Sequence, residues 1–357
     1  MAESIDPHRR IRVLVVDDSA FSRQTIAQML ESDPGIEVVG RAADGEEALA
    51  SVFQLRPDVV TLDLEMPKMD GFSFLRLVMA QRPTPIIVIS GLASNENVFR
   101  ALELGALDFV AKPSQRPSAE LRGIEAELHR KIRLVTQLRV VGLSERAQHR
   151  GMPSVLAALP LIGVGEPPSR ILAIGASTGG PPAIQQLLAH LDRTLPIAVL
   201  VTQHMPPKFT TTFADRLQRT TGWRVAEAKG GETIVTGQVL VAPGGFSLTL
   251  RRHDGLVVTE VVAAAPDDLF VPSVDRMFTS AASVAGDRLV ALVLTGMGSD
   301  GARGARAVHA AGGKVLAESH ESAVVFGMPQ EVIATGVVDE VLSLAQMPQA
   351  LARLMRV

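Results

Sequence analysis

Residues 171–182 read ILAIGASTGGPP: four apolar residues lead into a turn of small residues, and two prolines follow. The apolar run is typical of a buried strand, and proline is tolerated in the first turn of a helix. Ser177 therefore lies where a strand ends and a helix begins, which is the edge at which open α/β sheets bind their ligands. The stretch predicts an α/β domain built around a parallel sheet.

A short nucleophile motif overlaps this stretch. Gly175 to Gly179 matches G-x-S-x-G, the sharp turn that exposes a reactive serine. Because the pattern is short, a glycine-rich phosphate loop or a simple strand-to-helix turn is an equal alternative. The glycine spacing is G-x-x-x-G-G with no lysine behind it, which matches neither the dinucleotide fingerprint nor the P-loop. Ser177 is a candidate nucleophile on this evidence.

The amino-acid composition excludes several kinds of site and partner. The chain has 357 residues, enough for two domains, with 46% hydrophobic residues, a net charge of −3 and no cysteine. The missing cysteines exclude disulfides, thiolate catalysis and cysteine-zinc sites. The slightly negative net charge and the lack of a cluster of basic residues argue against binding to nucleic acid. We find no secretory signal and no apolar run near the roughly 18 residues of a membrane helix, so we expect a cytoplasmic protein without membrane insertion.

The N-terminal part repeats a strand-then-helix pattern. Strands are predicted at 12–16, 36–39, 58–62, 85–89 and 107–111. Five such units imply a parallel sheet with helices on both faces. The unusual polar residues all follow the ends of these strands.

Three of those polar residues are carboxylates. Asp17, Asp18 and Asp63 would converge on one sheet edge, where they repel one another unless a cation lies between them. An all-oxygen ligand set suits Mg²⁺, which keeps bound waters and binds phosphate. Ser90 and Lys112 would present a hydroxyl and an ammonium to a phosphoryl group. Each residue alone fits a turn or a helix cap, but five at strand ends predict a phosphoryl site.

On these residues, positions 10–130 resemble a response-regulator receiver domain, which implies a flavodoxin-like fold. The resemblance implies that Asp63 accepts the phosphoryl group from a histidine kinase and that Ser90 and Lys112 sense it. It places Phe109 where the family has a switching aromatic residue. The implied Mg²⁺ ligands are Asp17, Asp18, Asp63 and the backbone carbonyl of Glu65. Residues 131–168, which are rich in glycine and proline with little periodicity, are predicted to be a linker.

Two further polar residues follow apolar strands in the C-terminal part. His204 is the one histidine of eight that directly follows a long apolar strand, at 196–201. A lone histidine is usually structural, but one near a candidate serine favours a general base. Asp300 follows the strand at 289–294. It can accept the second ring N–H of His204, or it can cap the helix predicted at 302–310.

Ser177, His204 and Asp300 would thus supply a nucleophile, a base and an orienting carboxylate. Their chain order differs from the Ser–Asp–His order of α/β-hydrolases, but triads recur on unrelated folds. The glycines beside Asp300 would let backbone N–H groups face an oxyanion. Short strands at 225–227, 239–243, 247–250 and 256–259 predict a hairpin region attached to the main sheet.

Six segments resemble the chemotaxis protein-glutamate methylesterases of the CheB family. They are IGASTGGP at 174–181, QHMPP at 203–207, VAPGG at 241–245, PSVD at 272–275, LTGMGSDG at 294–301 and VFGMP at 325–329.

This second resemblance implies a Rossmann-like three-layer catalytic domain at 169–357. It implies a cytoplasmic serine hydrolase without a cofactor in its esterase site, which removes methyl esters from chemoreceptor glutamates and often deamidates receptor glutamines. The backbone N–H of Met297 would stabilise the oxyanion, and phosphorylation of Asp63 by the chemotaxis histidine kinase would activate the enzyme. The alternatives are a nucleotide-binding output domain and a catalytically silent adaptor; a DNA-binding output fits the acidic balance least.

Overall fold

The structure is a computed structural model that describes residues 9–91, 95–112, 119–137, 165–265 and 268–356. The chain divides into two compact units, residues 1–150 and 151–357. Most of the predicted linker at 131–168 lies outside the described residues. Each unit is an α/β fold around a parallel sheet, as predicted. No helix in the described ranges is long and apolar enough to cross a bilayer.

The N-terminal unit is a five-stranded parallel sheet in the order β2-β1-β3-β4-β5. Its elements are β1 (Ile11–Val16), α1 (Ala20–Glu31), β2 (Ile36–Ala42), α2 (Gly45–Leu55), β3 (Val59–Leu62), α3 (Gly71–Gln81), β4 (Ile86–Ser90), α4 (Asn95–Glu103), β5 (Asp108–Ala111) and α5 (Ala119–Arg133). A 3₁₀ turn (Leu134–Gln137) follows α5.

Local sequence explains where these elements begin. Every residue of β3 and β4 is buried, as the continuous apolar runs predict for central parallel strands. Ser19, Asp44 and Asp70 precede α1, α2 and α3, and each side chain accepts a backbone N–H of the helix behind it. Such caps satisfy donors that the first helical turn leaves unpaired. These three caps therefore define where the helices begin.

The C-terminal unit has a seven-stranded parallel sheet in the order β14-β13-β12-β6-β7-β9-β8. Its strands are β6 (Arg170–Ala176), β7 (Ile197–Gln203), β8 (Arg224–Glu227), β9 (Gln238–Val241), β10 (Phe246–His253), β11 (Leu256–Ala263), β12 (Leu289–Val293), β13 (Lys314–Glu318) and β14 (Glu340–Leu342). Its helices are α6 (Gly180–His190), α7 (Phe209–Thr221), α8 (Val274–Ala285), α9 (Ala302–Ala310), α10 (Gly327–Ala334) and α11 (Met347–Met355).

The predicted hairpin region is wrong in its attachment. β8 and β9 are parallel strands of the main sheet, whereas β10 and β11 form a separate antiparallel pair. The hairpin has one apolar face: Leu248 and Leu250 join the core cluster that contains Met277 and Phe278 of α8. Its other face carries charged residues, of which Arg251 is exposed. Strands with charged, partly solvated residues fit a hairpin packed on a helix better than a central position in a buried parallel sheet.

The strand order explains where a site can form. β6 lies between β7 on one side and β12 on the other, and Ile174 is in register with both Val201 and Leu292. The chain passes from β6 to β7 and later returns on the opposite side, so β6 marks a topological switch point. Crevices outside the carboxyl ends of strands at such points are the usual ligand sites of open α/β sheets. Ser177 directly follows β6.

Candidate functional sites

Backbone hydrogen bonds hold Ser177 at the end of β6. Its N–H donates to the carbonyl oxygen of Thr295 over 3.0 Å, which ties this turn to the loop after β12. Its own carbonyl accepts the N–H of Gly180 at 2.8 Å and the side-chain amide of Gln203 at 2.8 Å. A Cβ at position 180 would lie 2.1 Å from Oε1 of Gln203 and 2.8 Å from Cβ of Ala176, so a larger residue would displace the Gln203 side chain. Ser177 therefore sits on a rigid support.

His204 directly follows β7, the neighbouring strand. Its backbone N–H donates to the carbonyl oxygen of Ala176 over 3.0 Å, so the histidine and the serine follow the ends of paired strands. Nε2 of the imidazole lies 2.8 Å from Oδ2 of Asp300. Nδ1 is buried and has no hydrogen-bond partner among the described residues, the Ser177 hydroxyl included. The second ring nitrogen is thus left for a further partner.

Asp300 accepts four hydrogen bonds in a buried position, at 6% exposure. Oδ2 accepts Nε2 of His204 and the N–H of Val274; Oδ1 accepts the hydroxyl of Ser273 and the N–H of Asp275. Burial raises the pKa of Asp300, but the hydrogen bond and charge of His204 and the two backbone donors bring it below its ordinary value. An ionised carboxylate only accepts, so Nε2 of His204 donates this hydrogen bond, and in the neutral imidazole Nδ1 then keeps its lone pair.

The alternative that Asp300 caps its own helix is wrong. The residue before α9 is Gly301, in a left-handed conformation at φ 104°, and no side chain caps that helix from this position. Asp300 instead accepts N–H groups of α8, while Oδ1 of Asp275 on α8 accepts the N–H groups of Gly301 and Gly304 at 3.0 and 2.7 Å. Two aspartates therefore bind each other's helices, and this exchange fixes the orienting carboxylate.

The loop after β12 is anchored by a residue that the sequence reading missed. Glu318, at 0% exposure, accepts the N–H of Thr295 at 2.7 Å. The Thr295 hydroxyl donates to the carbonyl of Thr178 and accepts the N–H of Val325. A polar residue at the end of the apolar strand β13 was the signal that could have identified Glu318, since it repeats the pattern that singled out His204.

Met297 lies on the same loop. The N–H of its neighbour Gly296 donates to the carbonyl oxygen of Val325 over 3.0 Å. In the described part of the chain the N–H of Met297 has no such acceptor. A Cβ on Gly296 would lie 2.8 Å from Cβ of Ser177, so this loop runs directly against the serine. Met297 thus belongs to the loop that contacts the candidate nucleophile, and its N–H has no acceptor among the described residues.

The N-terminal unit brings its three predicted carboxylates together. One carboxylate oxygen each of Asp17, Asp18 and Asp63 lie within 4.8 Å of one another. Nζ of Lys112 lies 2.6 Å from Oδ2 of Asp63 and 2.9 Å from Oδ2 of Asp17. Burial raises the pKa of Asp17 although Lys112 opposes the rise. Burial lowers the pKa of Lys112, but the two carboxylates outweigh it and the net shift is upward, so its ammonium is retained. Asp18 is exposed, which leaves the cluster open for a hydrated cation.

The remaining predicted residues surround this cluster. The backbone N–H of Lys112 donates to the carbonyl of Ser90 at 2.8 Å, and the Ser90 hydroxyl donates to the Gly91 carbonyl at 3.3 Å. The N–H of Glu65 lies 3.5 Å from Oδ1 of Asp63. Phe109 is buried at 2% exposure.

Sequence reasoning missed two basic residues here. Arg23 donates to the backbone carbonyls of Asp17 and Asp18 at 2.6 and 2.9 Å. Nζ of the buried Lys131 lies 5.2 Å from the centre of the Phe109 ring. Neither residue lies at a strand end, so the pattern that found the acidic cluster gave no signal for them.

Comparison with known proteins identifies both units. Residues 172–351 match the family model for CheB methylesterase, and residues 13–122 match the response regulator receiver domain. The chain is 49% identical over 355 residues to protein-glutamate methylesterase/protein-glutamine glutaminase 3 of Geobacter sulfurreducens. The match covers 95% of this chain and 96% of that protein. It is 49% identical over 346 residues to protein-glutamate methylesterase/protein-glutamine glutaminase 1 of Myxococcus xanthus, covering 97% of each.

A solved structure agrees. The Thermotoga maritima CheB methylesterase catalytic domain superposes with a TM-score of 0.51 at 40% identity, covering 52% of this chain and 98% of that domain. Both resemblances noted in the sequence are thus confirmed. The chain belongs to the CheB methylesterase family and carries a response regulator receiver domain ahead of its methylesterase domain.

Proposed function

We propose that this protein is a protein-glutamate methylesterase and protein-glutamine glutaminase that acts on chemoreceptors as a serine hydrolase. The observation that carries the proposal is the state of His204. Its Nε2–H is committed to the buried, ionised Asp300, and its Nδ1 is buried without a partner among the described residues. Relatives of nearly the same length, at 49% identity, bear both activity names. A nucleotide-binding output or a silent adaptor finds no comparable support.

The proposed reaction is acyl transfer through Ser177. Its hydroxyl oxygen attacks the γ-carbonyl carbon of a glutamyl methyl ester while Nδ1 of His204 takes the hydroxyl proton. Asp300 stays ionised and stabilises the imidazolium, and the N–H of Met297 donates to the oxyanion. The C–O bond to the methoxy group then breaks, and methanol leaves with the proton from His204. Water, deprotonated by the same nitrogen, releases the glutamate; with glutamine, ammonia leaves instead of methanol.

The receiver supplies regulation in this proposal. Asp63 accepts a phosphoryl group from the chemotaxis histidine kinase, and its phosphorylation raises esterase activity. Asp17, Asp18, Asp63 and the carbonyl of Glu65 would hold Mg²⁺, which neutralises charge during phosphoryl transfer. The carboxylate oxygens within 4.8 Å of one another fit such an ion. Lys112 and Ser90 would then contact the phosphoryl oxygens.

The proposed division of the chain follows from these roles. Residues 10–130 form the receiver, 131–168 the linker and 169–357 the catalytic domain. Partnership with a chemotaxis kinase places the protein in the cytoplasm.

Methanol release from a methylated chemoreceptor tests the proposal. Ser177→Ala should lower turnover at least about 10³-fold, since loss of a triad serine is among the most damaging changes to such enzymes. The exposed Ser283→Ala is the matched control and should keep parental turnover. A phospho-donor with Mg²⁺ should stimulate the parent protein but not Asp63→Asn. Near-normal turnover by Ser177→Ala would remove this serine from the mechanism.

A further inference from the structure

An aromatic ring covers one face of the candidate base. The ring centres of Phe270 and His204 lie 4.6 Å apart, and the two planes are within 3° of parallel. Phe270 belongs to the segment that leads into α8, whose first N–H groups bind Asp300. We propose that Phe270 is a positioning residue, which holds the imidazole of His204 in the plane where Nε2 meets Asp300 and Nδ1 is free for Ser177. This inference rests on the proposed function.

The need for such a residue follows from the hydrogen bonds of the ring. The imidazole is held by one side-chain bond, from Nε2 to Asp300, and Nδ1 has no partner in the described residues. A single bond leaves the ring free to tilt about the line that joins Nε2 to the carboxylate. A parallel ring in contact with one face removes that freedom. Small errors in the placement of a base are costly in catalysis.

A second contact places Phe270 against the oxyanion loop. Gly298 follows Met297 and has φ 91°, a left-handed conformation that favours glycine. A Cβ at this position would lie 2.8 Å from Cζ of Phe270. The ring edge thus touches the loop that presents the Met297 N–H, while the ring face touches the base. Phe270 sets the spacing between these two parts of the site.

The stack also matters when the charge on His204 changes. Once Nδ1 has taken the serine proton, the imidazolium lies over the face of Phe270 at a distance suited to cation–π attraction. Two carboxylates lie on the Nε2 side of the same ring. Asp300 accepts the hydrogen bond from Nε2, and Asp275 donates its N–H to Asp300 while its carboxylate accepts the N–H of Gly301. The aromatic face therefore favours the state that exists during acyl transfer over the resting state, and an aliphatic side chain of similar size does not.

Steady-state kinetics of methanol release test the proposal with Phe270→Leu and Phe270→Tyr. We expect Phe270→Leu to lower kcat about tenfold, in the range of aromatic and cation–π contacts, with KM changed less than twofold. Labelling of Ser177 by a small phosphonate needs the base but no receptor contact, and it should slow by the same factor. Phe270→Tyr keeps the ring face on His204 and should recover part of both rates, because its added hydroxyl lies on Cζ, the atom that faces Gly298. Leu269→Ala, at an 85% exposed neighbour, is the control and should retain parental kcat.

Three results would overturn the inference. They are an unchanged kcat in Phe270→Leu, a rise in KM alone, which would make Phe270 a receptor contact, and phosphonate labelling at the parental rate. Thermal unfolding checks that each variant is folded, and Phe270→Met replaces Phe270→Leu if the latter is not. Failure of the proposed function looks different: the parent protein itself would release no methanol and take no label at Ser177.

Discussion

Replacing Asp300 with asparagine separates its two tasks, because the amide must place its NH₂ group at one of two positions. At the Oδ2 position, NH₂ would face the N–H of Val274 and would force His204 into the wrong tautomer. At the Oδ1 position, it would face the N–H of Asp275, but the Ser273 hydroxyl can reverse and accept. We therefore expect the second orientation, in which the amide oxygen still receives Nε2–H.

The expected losses follow from that orientation. His204 keeps its tautomer. Its hydrogen bond now goes to a neutral acceptor in place of a charged one, which stabilises the imidazolium by about 1–2 kcal/mol less. This predicts a fall in kcat of about 5- to 30-fold, well short of the ~10⁴-fold that follows a wrong tautomer in serine proteases. One buried N–H, that of Asp275, loses its acceptor at a cost of about 1–3 kcal/mol. For a domain of this size the melting temperature should fall by about 2–12 °C.

Methanol release and thermal unfolding of the full chain measure both effects. Asp254→Asn, whose side chain is 87% exposed, is the matched control and should change neither. Adding Ser273→Ala to Asp300→Asn removes the hydroxyl that favours the productive orientation, so the double variant should lose more activity than the two single losses combined. Parental kcat in Asp300→Asn would refute the orienting role. A ~10⁴-fold loss without a change in stability would refute the predicted orientation of the amide.

The other predictions concern acid stability, the buried glutamate and the receiver. The folded state lowers the pKa of Asp300 below its ordinary 3.8. Its contribution to stability is therefore present above pH 3.8 and is lost as the pH falls through the lower folded value. Calorimetry should show the melting temperature falling more steeply with acid in the parent than in Asp300→Asn, and parallel curves would contradict this. Glu318→Ala should lower the free energy of unfolding by about 2–4 kcal/mol, since the N–H of Thr295 loses its acceptor beside a new cavity. Glu318→Gln keeps an acceptor for that N–H and should lower the free energy of unfolding by less than about 1.5 kcal/mol. Equal losses for the two variants in urea unfolding would contradict the role of that hydrogen bond. Lys112→Met removes the cation beside Asp63, so Mg²⁺ should raise the melting temperature of the receiver more in this variant than in the parent; an equal rise would contradict it.

Local patterns were enough to predict the strand ends. Runs such as 171–174 and 196–201 are apolar throughout, which indicates buried parallel strands, and the polar residue behind each run is then at the carboxyl edge of a sheet. His204 and Asp300 were found in this way, and the structure joins them by a hydrogen bond of 2.8 Å.

Tertiary packing determines what the patterns missed. Asp300 looked like a cap for the helix behind it, but its carboxylate faces α8, a segment more than twenty residues away in sequence. The stack of Phe270 on His204 joins two loops that are distant in the chain and carry no shared motif. The hairpin of β10 and β11 has strand patterns like those of β8 and β9, and only the packing of Leu248 and Leu250 on α8 separates it from the main sheet.

The covalent step through Ser177 can be observed in a single experiment. The full chain is mixed with excess methyl-esterified receptor peptide, quenched in acid within one turnover, and mapped by mass spectrometry. We predict the peptide bound to the Ser177 hydroxyl, with the mass of one methanol missing, and no such adduct in Ser177→Ala. Hydrolysis of the ester at the parental rate with no adduct at Ser177, or with an adduct on another residue, would contradict the account.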